Sequence, residues 1–533
     1  MQMKRTMISA AIVAALTGSV CAAELSPVPS ANAKILGVTS TTVLSPELRQ
    51  VVAAQGSMLV ENPTDLVKYY GYLNTVPNLL PAFGSNVEAT KTEPDKNTYL
   101  VLNGLVGADP KYDYGTHFLF QGHEAGVGQL TRVNLDADSA HRVTVLATRE
   151  KDGVKPLPTI DGSTWHPWSG RLLLTAELGA NGGVWQATPD FPSVVEDISG
   201  GTGRGGFEGI QADSDGNLWI AEDAGGATVA GARLPNSFIY RFIPKNKFDL
   251  GQGGKLQALQ VMSKVTTGQP ITFQTANALT QDMKDLHTYG TVFDTKWITL
   301  HDTDVDGNTP FNANALAKAK LATPFKRPEN GMFRPDTHFR EFIFTETGDT
   351  SATSTAIPDH GGFGALIKVT QSSPSASSGK LTLFYKGDLE HTAFDNLAFW
   401  DRDHLVVGED RGDTLHSQGN ALDSHWLFDM RNNYGDPANT PTRIMAEGRD
   451  PSATIDSALL GTAGFQNDGD NETTGIHVSD GDPTVNGVLG DKNPRPFHDG
   501  WRVFYTQQHG DNMTFEILPT QHGKRDNEGD RGY

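Results

Sequence analysis

The 533-residue chain contains a single cysteine, Cys21. It sits in a leader-like segment, so the mature chain is expected to have none, which excludes disulfides and thiolate metal ligands together. Positive charge is scarce as well: 43 Lys and Arg face 63 Asp and Glu, a formal net charge of −20. Such a surface disfavours nucleic acid and anionic membranes as partners. No apolar run is long enough to span a bilayer. The chain has no Gly-x-Ser-x-Gly phrase, so no nucleophile elbow is read. Gly203-Arg-Gly-Gly206 lacks the Lys-Ser/Thr that would follow in a phosphate loop. Glycine and proline are plentiful, at 57 and 29, and 37% of residues are hydrophobic, which describes a globular chain rich in turns.

Residues 1–23 read as a secretory signal. Lys4 and Arg5 start it, Met7 to Leu16 form a short apolar run, and Val20-Cys-Ala-Ala23 ends in small residues. A periplasmic or secreted protein is expected. Residues 24–100 read as a lead-in, with a short helix opening at Ser45. From about residue 100 to 518 one phrase recurs: a short apolar strand that ends on an acid. It appears as Phe118-Leu-Phe-Gln-Gly-His-Glu124, Leu172-Leu-Leu-Thr-Ala-Glu177, Leu218-Trp-Ile-Ala-Glu-Asp223, Phe342-Ile-Phe-Thr-Glu346 and Leu405-Val-Val-Gly-Glu-Asp410. Val503-Phe-Tyr-Thr-Gln-Gln-His-Gly510 repeats the form without a carboxylate. Repetition at this spacing predicts an all-β fold, a β-propeller of six blades with loop and helical insertions. An insertion around 270–325 carries helical pieces at Asn277 to Leu286 and Asn312 to Lys320. Residues 519–533 read as a loose charged tail, and a monomer is expected.

In a propeller the innermost strands line one channel, so acids far apart in sequence converge there. A second set precedes several repeated strands: Glu208, Glu329, Asp395 and Glu472. With Glu124, Glu177, Glu222, Asp223, Glu346 and Glu409 they form the candidate metal ligands. A ring of acids repels itself unless cations or protons neutralise it, and carboxylates suit Ca²⁺ and, among transition ions, Fe³⁺. Taken one at a time, each acid is equally at home in an ordinary turn. Arg327 is a candidate phosphate clamp and His509 a candidate for proton transfer. Asp302-Thr-Asp-Val-Asp-Gly-Asn308 places alternate carboxylates before a glycine, but Ala313 stands where a calcium loop needs its last glutamate.

The series of phrases resembles the PhoX-type alkaline phosphatases. Gly122-His-Glu124, Trp165-His-Pro-Trp-Ser-Gly-Arg-Leu-Leu-Leu-Thr-Ala-Glu177, Trp219-Ile-Ala-Glu-Asp223 with Phe238-Ile-Tyr-Arg-Phe242, Arg327-Pro-Glu329, Asp395-Asn-Leu397, Glu472-Thr-Thr-Gly475 and Gln508-His-Gly510 follow that family's order. The resemblance implies a secreted propeller, iron and calcium at the channel mouth, and hydrolysis of a small phosphorylated substrate. Two departures stand out. Asp161-Gly-Ser-Thr164 occupies the place of that family's cysteine ligand, and Leu178 follows Glu177 where the family has a second acid. Either Asp161 substitutes as an oxygen ligand or calcium alone remains. Two other readings fit the same residues: a calcium-dependent lactonase or esterase propeller, and a calcium-stabilised binding propeller without turnover.

Overall fold

The computed structural model of the chain describes residues 25–28, 42–73, 91–447, 472–488, 490–508 and 512–520. Its strands form six four-stranded antiparallel units around a channel. Blade one holds Pro94–Val101, His117–His123, Leu130–Asn134 and Val143–Ala147. Blade two holds Ser163–His166, Arg171–Ala176, Gly183–Ala187 and Val195–Asp197. Blade three runs from Phe207–Ala212 through Leu218–Glu222 and Ile239–Pro244 to Gly254–Val261. Blade four runs from Pro328–Phe333 through Glu341–Glu346 and Ala365–Gln371 to Ser378–Lys386. The long strand Val292–Asp302 pairs with the outer strands of both, so these two blades are joined edge to edge. Blade five is Phe394–Phe399, His404–Glu409, Ser424–Asp429 and Thr442–Glu447. Blade six is Glu472–Ser479, Arg502–Gln508 and Met513–Pro519, completed by Leu48–Ala54.

That last pairing corrects the expectation of a lead-in with a helix at Ser45. Thr42–Leu44 adds an edge to blade five, and Leu48–Ala54 pairs along Met513–Pro519. The β-branched pair Val51-Val52 suits a strand, and the open edge of blade six offers a ladder of hydrogen bonds that an isolated turn of helix cannot match. The ring is thus closed by strands from both ends of the chain. Around 270–325, Gln281–Leu286 and Ala313–Ala319 are helical as the sequence suggests. Among the described residues no helix is long and apolar enough to cross a membrane. Residues 1–23 and 521–533 lie outside the described residues.

The core consists of six apolar layers, one between each pair of neighbouring blades. Leu172 and Leu174 pack with Phe118, Phe120 and Leu100 of blade one, while Leu173 packs with Phe207 and Ile210 of blade three. Phe342 and Phe344 likewise face blade three, and Ile343 faces blade five. Successive strand residues point to opposite faces, and here both faces are covered. This is why the repeated phrase reads as an unbroken apolar run instead of an alternation.

Five of the six innermost strands carry a register shift at the same place: Pro94/Asn97, Phe207/Ile210, Pro328/Gly331, Phe394/Leu397 and Thr474/His477. A bulge puts an extra residue into one strand and re-aims side chains. Here it lets two successive residues serve the channel. Gly209 occupies one of these crowded bulges: a Cβ there would lie 2.6 Å from the Glu329 carbonyl oxygen and 2.7 Å from Asn330 Cα.

Candidate metal centre

The pairing registers align the blades residue by residue. On the innermost strands the first residue of each bulge is Asp95 in blade one, Glu208 in blade three, Glu329 in blade four, Asp395 in blade five and Gly475, next to Thr474, in blade six. Asp161 takes the same place in blade two, two residues before Ser163, whose partner is Leu174. At the end of the second strand, the residue after the paired one is Glu124, Asp223, Thr347 and Asp410 in blades one, three, four and five; Glu177 follows the second strand of blade two, and in blade six Glu472 and Gln508, paired with each other, lie at the same end. Two rings of side chains therefore surround one mouth.

The rings are in contact. Ligand atoms of Asp95, Glu124 and Asp161 lie within 4.8 Å of one another, and so do those of Glu208, Glu329 and Asp395. Gln508 Nε2 donates to Glu124 Oε2 at 2.9 Å, linking blade six to blade one. Asn330 Nδ2 donates to Glu208 Oε1 at 2.8 Å and to Asp395 Oδ1 at 3.2 Å. The Thr347 hydroxyl donates to Glu329, and that of Thr474 to Asp95. Arg327 grips Asp223 through Nε at 2.8 Å and Nη2 at 2.5 Å, and its Nη2 is 3.4 Å from Glu329 Oε1. Arg327 holds a left-handed backbone, φ 56°, directly before Pro328. That conformation is strained for a non-glycine residue and persists where the surroundings over-determine it.

Ten carboxylates meet here: Asp95, Glu124, Asp161, Glu177, Glu208, Asp223, Glu329, Asp395, Asp410 and Glu472. Among the described residues, Lys96 and Arg327 are the positively charged side chains that lie among them. Burial first, and then the charges of their neighbours, push the carboxyls of Asp161, Glu208, Glu329 and Glu472 well above the usual range. Asp95 is pushed up to about 6 by burial and by Asp395. Asp410 is pushed up to about 6 by burial, Asp423 and Asp395. Glu177 opens to solvent at the rim, and it too is raised, by desolvation within the funnel and by Asp223, Glu329 and Glu124. So many like charges cannot ionise together at short range without counter-ions. The alternatives are protons or bound cations.

The donor set fits hard cations. All ten acids offer oxygen. Two amide oxygens in the same rings are buried and have no hydrogen-bond partner among the described residues: Asn396 Oδ1, whose Nδ2 faces Asp395 at 2.9 Å and Thr474 at 2.7 Å, and Gln508 Oε1. A buried unpaired carbonyl oxygen is costly, and a cation is the partner it lacks. No cysteine lies among the described residues to favour a softer ion.

Three acids read from the sequence as ligands do not join the site. Glu222 accepts from Tyr240 Oη at 2.7 Å and Asn314 Nδ2 at 3.1 Å, and burial pushes it up to about 7. Glu346 lies 2.8 Å from His287 Nε2 and accepts from the Lys326 amide at 2.7 Å. Glu409 accepts from Arg411 Nε and Nη2, both at 3.0 Å, and from the amides of Thr392 and Ser424. The reason is strand parity: these glutamates are the paired residues, and only the next position faces the mouth. Asp223 and Asp410 take that position, and in blade four it is Thr347. Glu124, Glu177, Glu208, Asp223, Glu329, Asp395 and Glu472 are brought together. Arg327 stands at the mouth, while His509 falls outside the described residues. His123 is a structural residue, bonded to Thr92 and Thr131 hydroxyls at 2.9 and 2.8 Å. The acids of residues 302–306 bind Lys255, Lys245 and a backbone amide.

The sequence reading missed Asp95, Asp410, Asn330, Asn396 and Lys96. Two of these had a signal: Glu93-Pro-Asp95 parallels Arg327-Pro-Glu329, and Asp410 parallels Asp223. The pairing of Arg411 with Glu409 leads to a stability prediction. Both are buried, at 2% and 0% side-chain exposure. Arg411→Met is expected to cost about 3–5 kcal/mol by leaving a buried carboxylate uncompensated, with metal content unchanged. Denaturant unfolding and elemental analysis check this; loss of metal at full stability would return Glu409 to the site.

Residues 231–482 match the family model "Alkaline phosphatase PhoX". No curated protein matches the chain. Among solved structures the chain is similar to Pseudomonas fluorescens PhoX in complex with vanadate, a transition state analogue, at 12% identity and TM-score 0.55, over 93% of this chain and 98% of that one. Looser likenesses include the GH43_1 enzyme of Xanthomonas citri (11% identity, TM-score 0.29, 63% of this chain and 87% of that one) and an α-L-arabinanase of Penicillium chrysogenum (9%, 0.32, 88% and 98%). The matched segment runs from blade three into blade six, and the propeller fold of the solved PhoX is shared along nearly the whole chain: the chain is similar to the PhoX alkaline phosphatases in that segment and in its fold.

Proposed function

We propose that the protein is an exported phosphatase that cleaves phosphate esters at the carboxylate-lined mouth, with hard cations, Ca²⁺ foremost, held by the two rings. The observation that carries this reading is the excess of ten converging carboxylates over two cationic side chains. Asp95, Glu124 and Asp161 form one candidate ligand group and Glu208, Glu329 and Asp395 the other. Asp161 offers an oxygen where the resembled family has its cysteine, so a calcium-class site without a thiolate is favoured over a thiolate-bound iron pair. Bound cations supply Lewis acidity and positive charge for phosphoryl transfer.

The chain's own residues then do three things. The rings fix the carboxylates on six rigid strands, so little reorganisation accompanies reaction. Arg327, anchored by Asp223 and with its side chain 20% exposed, presents a planar guanidinium to an anionic group entering the mouth. Asn330 holds Glu208 and Asp395 apart at fixed distances through its amide nitrogen. Export is supported by the basic start, apolar run and small-residue end of residues 1–23.

The test is elemental analysis of the purified mature protein beside an assay of p-nitrophenyl phosphate, with and without Ca²⁺. Bound calcium and calcium-dependent release of p-nitrophenol are expected, and both should vanish after chelation. A protein that binds no cation, or that cleaves lactones or carboxylic esters but no phosphate ester, overturns the proposal.

A further inference from the structure

The bulges that aim the acids also aim the residues beside them. Below the inner ring these are Lys96, Gly209, Asn330, Asn396 and Ile476 of blades one, three, four, five and six, the last of them packed in the apolar layer between blades five and six. Among these Lys96 is the one basic side chain. It belongs to blade one, and its Nζ donates to Asn330 Oδ1 of blade four at 2.5 Å. In a ring of six, blades one and four are opposite, so the ammonium lies near the channel axis. Gly209 adds no side chain that would obstruct this reach. The side chain is buried, with Lys96 3% exposed.

The neighbours that act on the ammonium belong to both ligand groups: Asp95 and Asp161 of one, Glu208 and Asp395 of the other. Among the described residues no single carboxylate takes it as an ion-pair partner; the charges of both groups act on it together. On its far side, Lys96 lines a cavity of about 80 Å³ together with Thr98, Ser163, Trp165, Met332 and His477. The cavity is also lined by Asp482, whose carboxylate pairs with Lys492 at 3.2 Å.

We propose that Lys96 is a tethered cation of the cluster, standing on the axis where the ring of acids would otherwise take one more divalent ion. By donating to Asn330 Oδ1 it also fixes which end of that amide faces the acids, since Nδ2 is left to Glu208 and Asp395. It is a positioning residue: it bonds Asn330, which holds Glu208 and Asp395, and limits how many cations the acids hold. The inference rests on the cation-binding reading of the mouth, and its test separates the two.

The full mature chain is compared with Lys96→Met and Lys96→Arg after equilibration with Ca²⁺, by elemental analysis and calorimetric titration. The wild-type and Lys96→Arg proteins are expected to hold the same number of Ca²⁺ ions, and Lys96→Met one more per chain. Equal stoichiometry and affinity in Lys96→Met and wild type overturn the role of Lys96 alone. A wild-type protein without any bound cation overturns the underlying reading as well. Should Lys96→Met fail to fold, the anomalous map of a Ca²⁺-loaded wild-type crystal decides. Nζ is expected on Asn330 Oδ1 with no ion there. An ion at about 2.3–2.6 Å from Asn330 Oδ1, with Lys96 turned away, overturns the inference.

Discussion

Glu329→Gln is expected to lower kcat by about a thousandfold or more and to weaken Ca²⁺ binding by more than about tenfold, beyond the loss seen when only an outer partner of a ligand is removed. Glu329 belongs to the group with Glu208 and Asp395, is buried, and sits 3.4 Å from Arg327. Replacing its carboxylate by an amide keeps the shape and removes a charged oxygen donor. The paired control is Glu346→Gln, in the next strand of the same blade. Glu346 contacts His287 and the Lys326 amide and does not reach the mouth. That variant is expected to keep its metal content and its KM while losing about 1–3 kcal/mol of stability through a disturbed buried polar network. Activity at several phosphate-ester concentrations, elemental analysis and denaturant unfolding read all of these. If Glu346→Gln loses the cation and Glu329→Gln keeps it, the assignment by strand parity is wrong.

The second large effect is an inverted pH response of the chelated protein. With no cation bound, the buried carboxyls keep their protons well above the pH at which unfolded carboxyls lose theirs. Below about pH 4 both states are protonated and the ring is not penalised. As pH rises past that point the unfolded chain ionises freely, while Asp95 and Asp410 hold on until about 6 and the more strongly raised groups beyond. The native state then binds more protons than the unfolded one, so stability falls as pH rises. A shift of roughly two units at Asp95 corresponds to about 3 kcal/mol, at about 1.4 kcal/mol per unit. The melting temperature of the chelated protein is expected to drop by about 10 °C between pH 5 and pH 8, scaling a few kcal/mol by a few degrees each. Ca²⁺ reverses the trend, because cations displace the protons and bind more tightly as pH rises. Thermal unfolding across pH, with chelator and with Ca²⁺, checks this; two parallel curves would mean that the rings do not hold the ion.

Much of the architecture was legible because propellers repeat. The runs at Leu172 to Leu174 and Phe342 to Phe344 announce strands covered on both faces, and the recurring acid announces a common mouth. The pieces that failed were those decided by one residue of phase. Glu222 and Asp223 are neighbours in sequence and equally acidic, yet one bonds Tyr240 and the other Arg327. Strand pairing sets which of them faces the channel, and the bulge positions that shift this phase are invisible in composition. The closing strand Leu48–Ala54 was missed for a similar reason: its partner lies more than 450 residues away, at Met513–Pro519.

By itself, then, the sequence determined a turn-rich all-β repeat without thiolate ligands and with more acids than its cations can offset, since composition and periodicity are local properties of the chain. Only the tertiary structure decided which acids meet. Bringing Lys96 of blade one to Asn330 of blade four, and Gln508 to Glu124, requires the ring to close. Closure is a property of six packed sheets, set by the burial of their facing apolar layers and by registers that no single phrase contains.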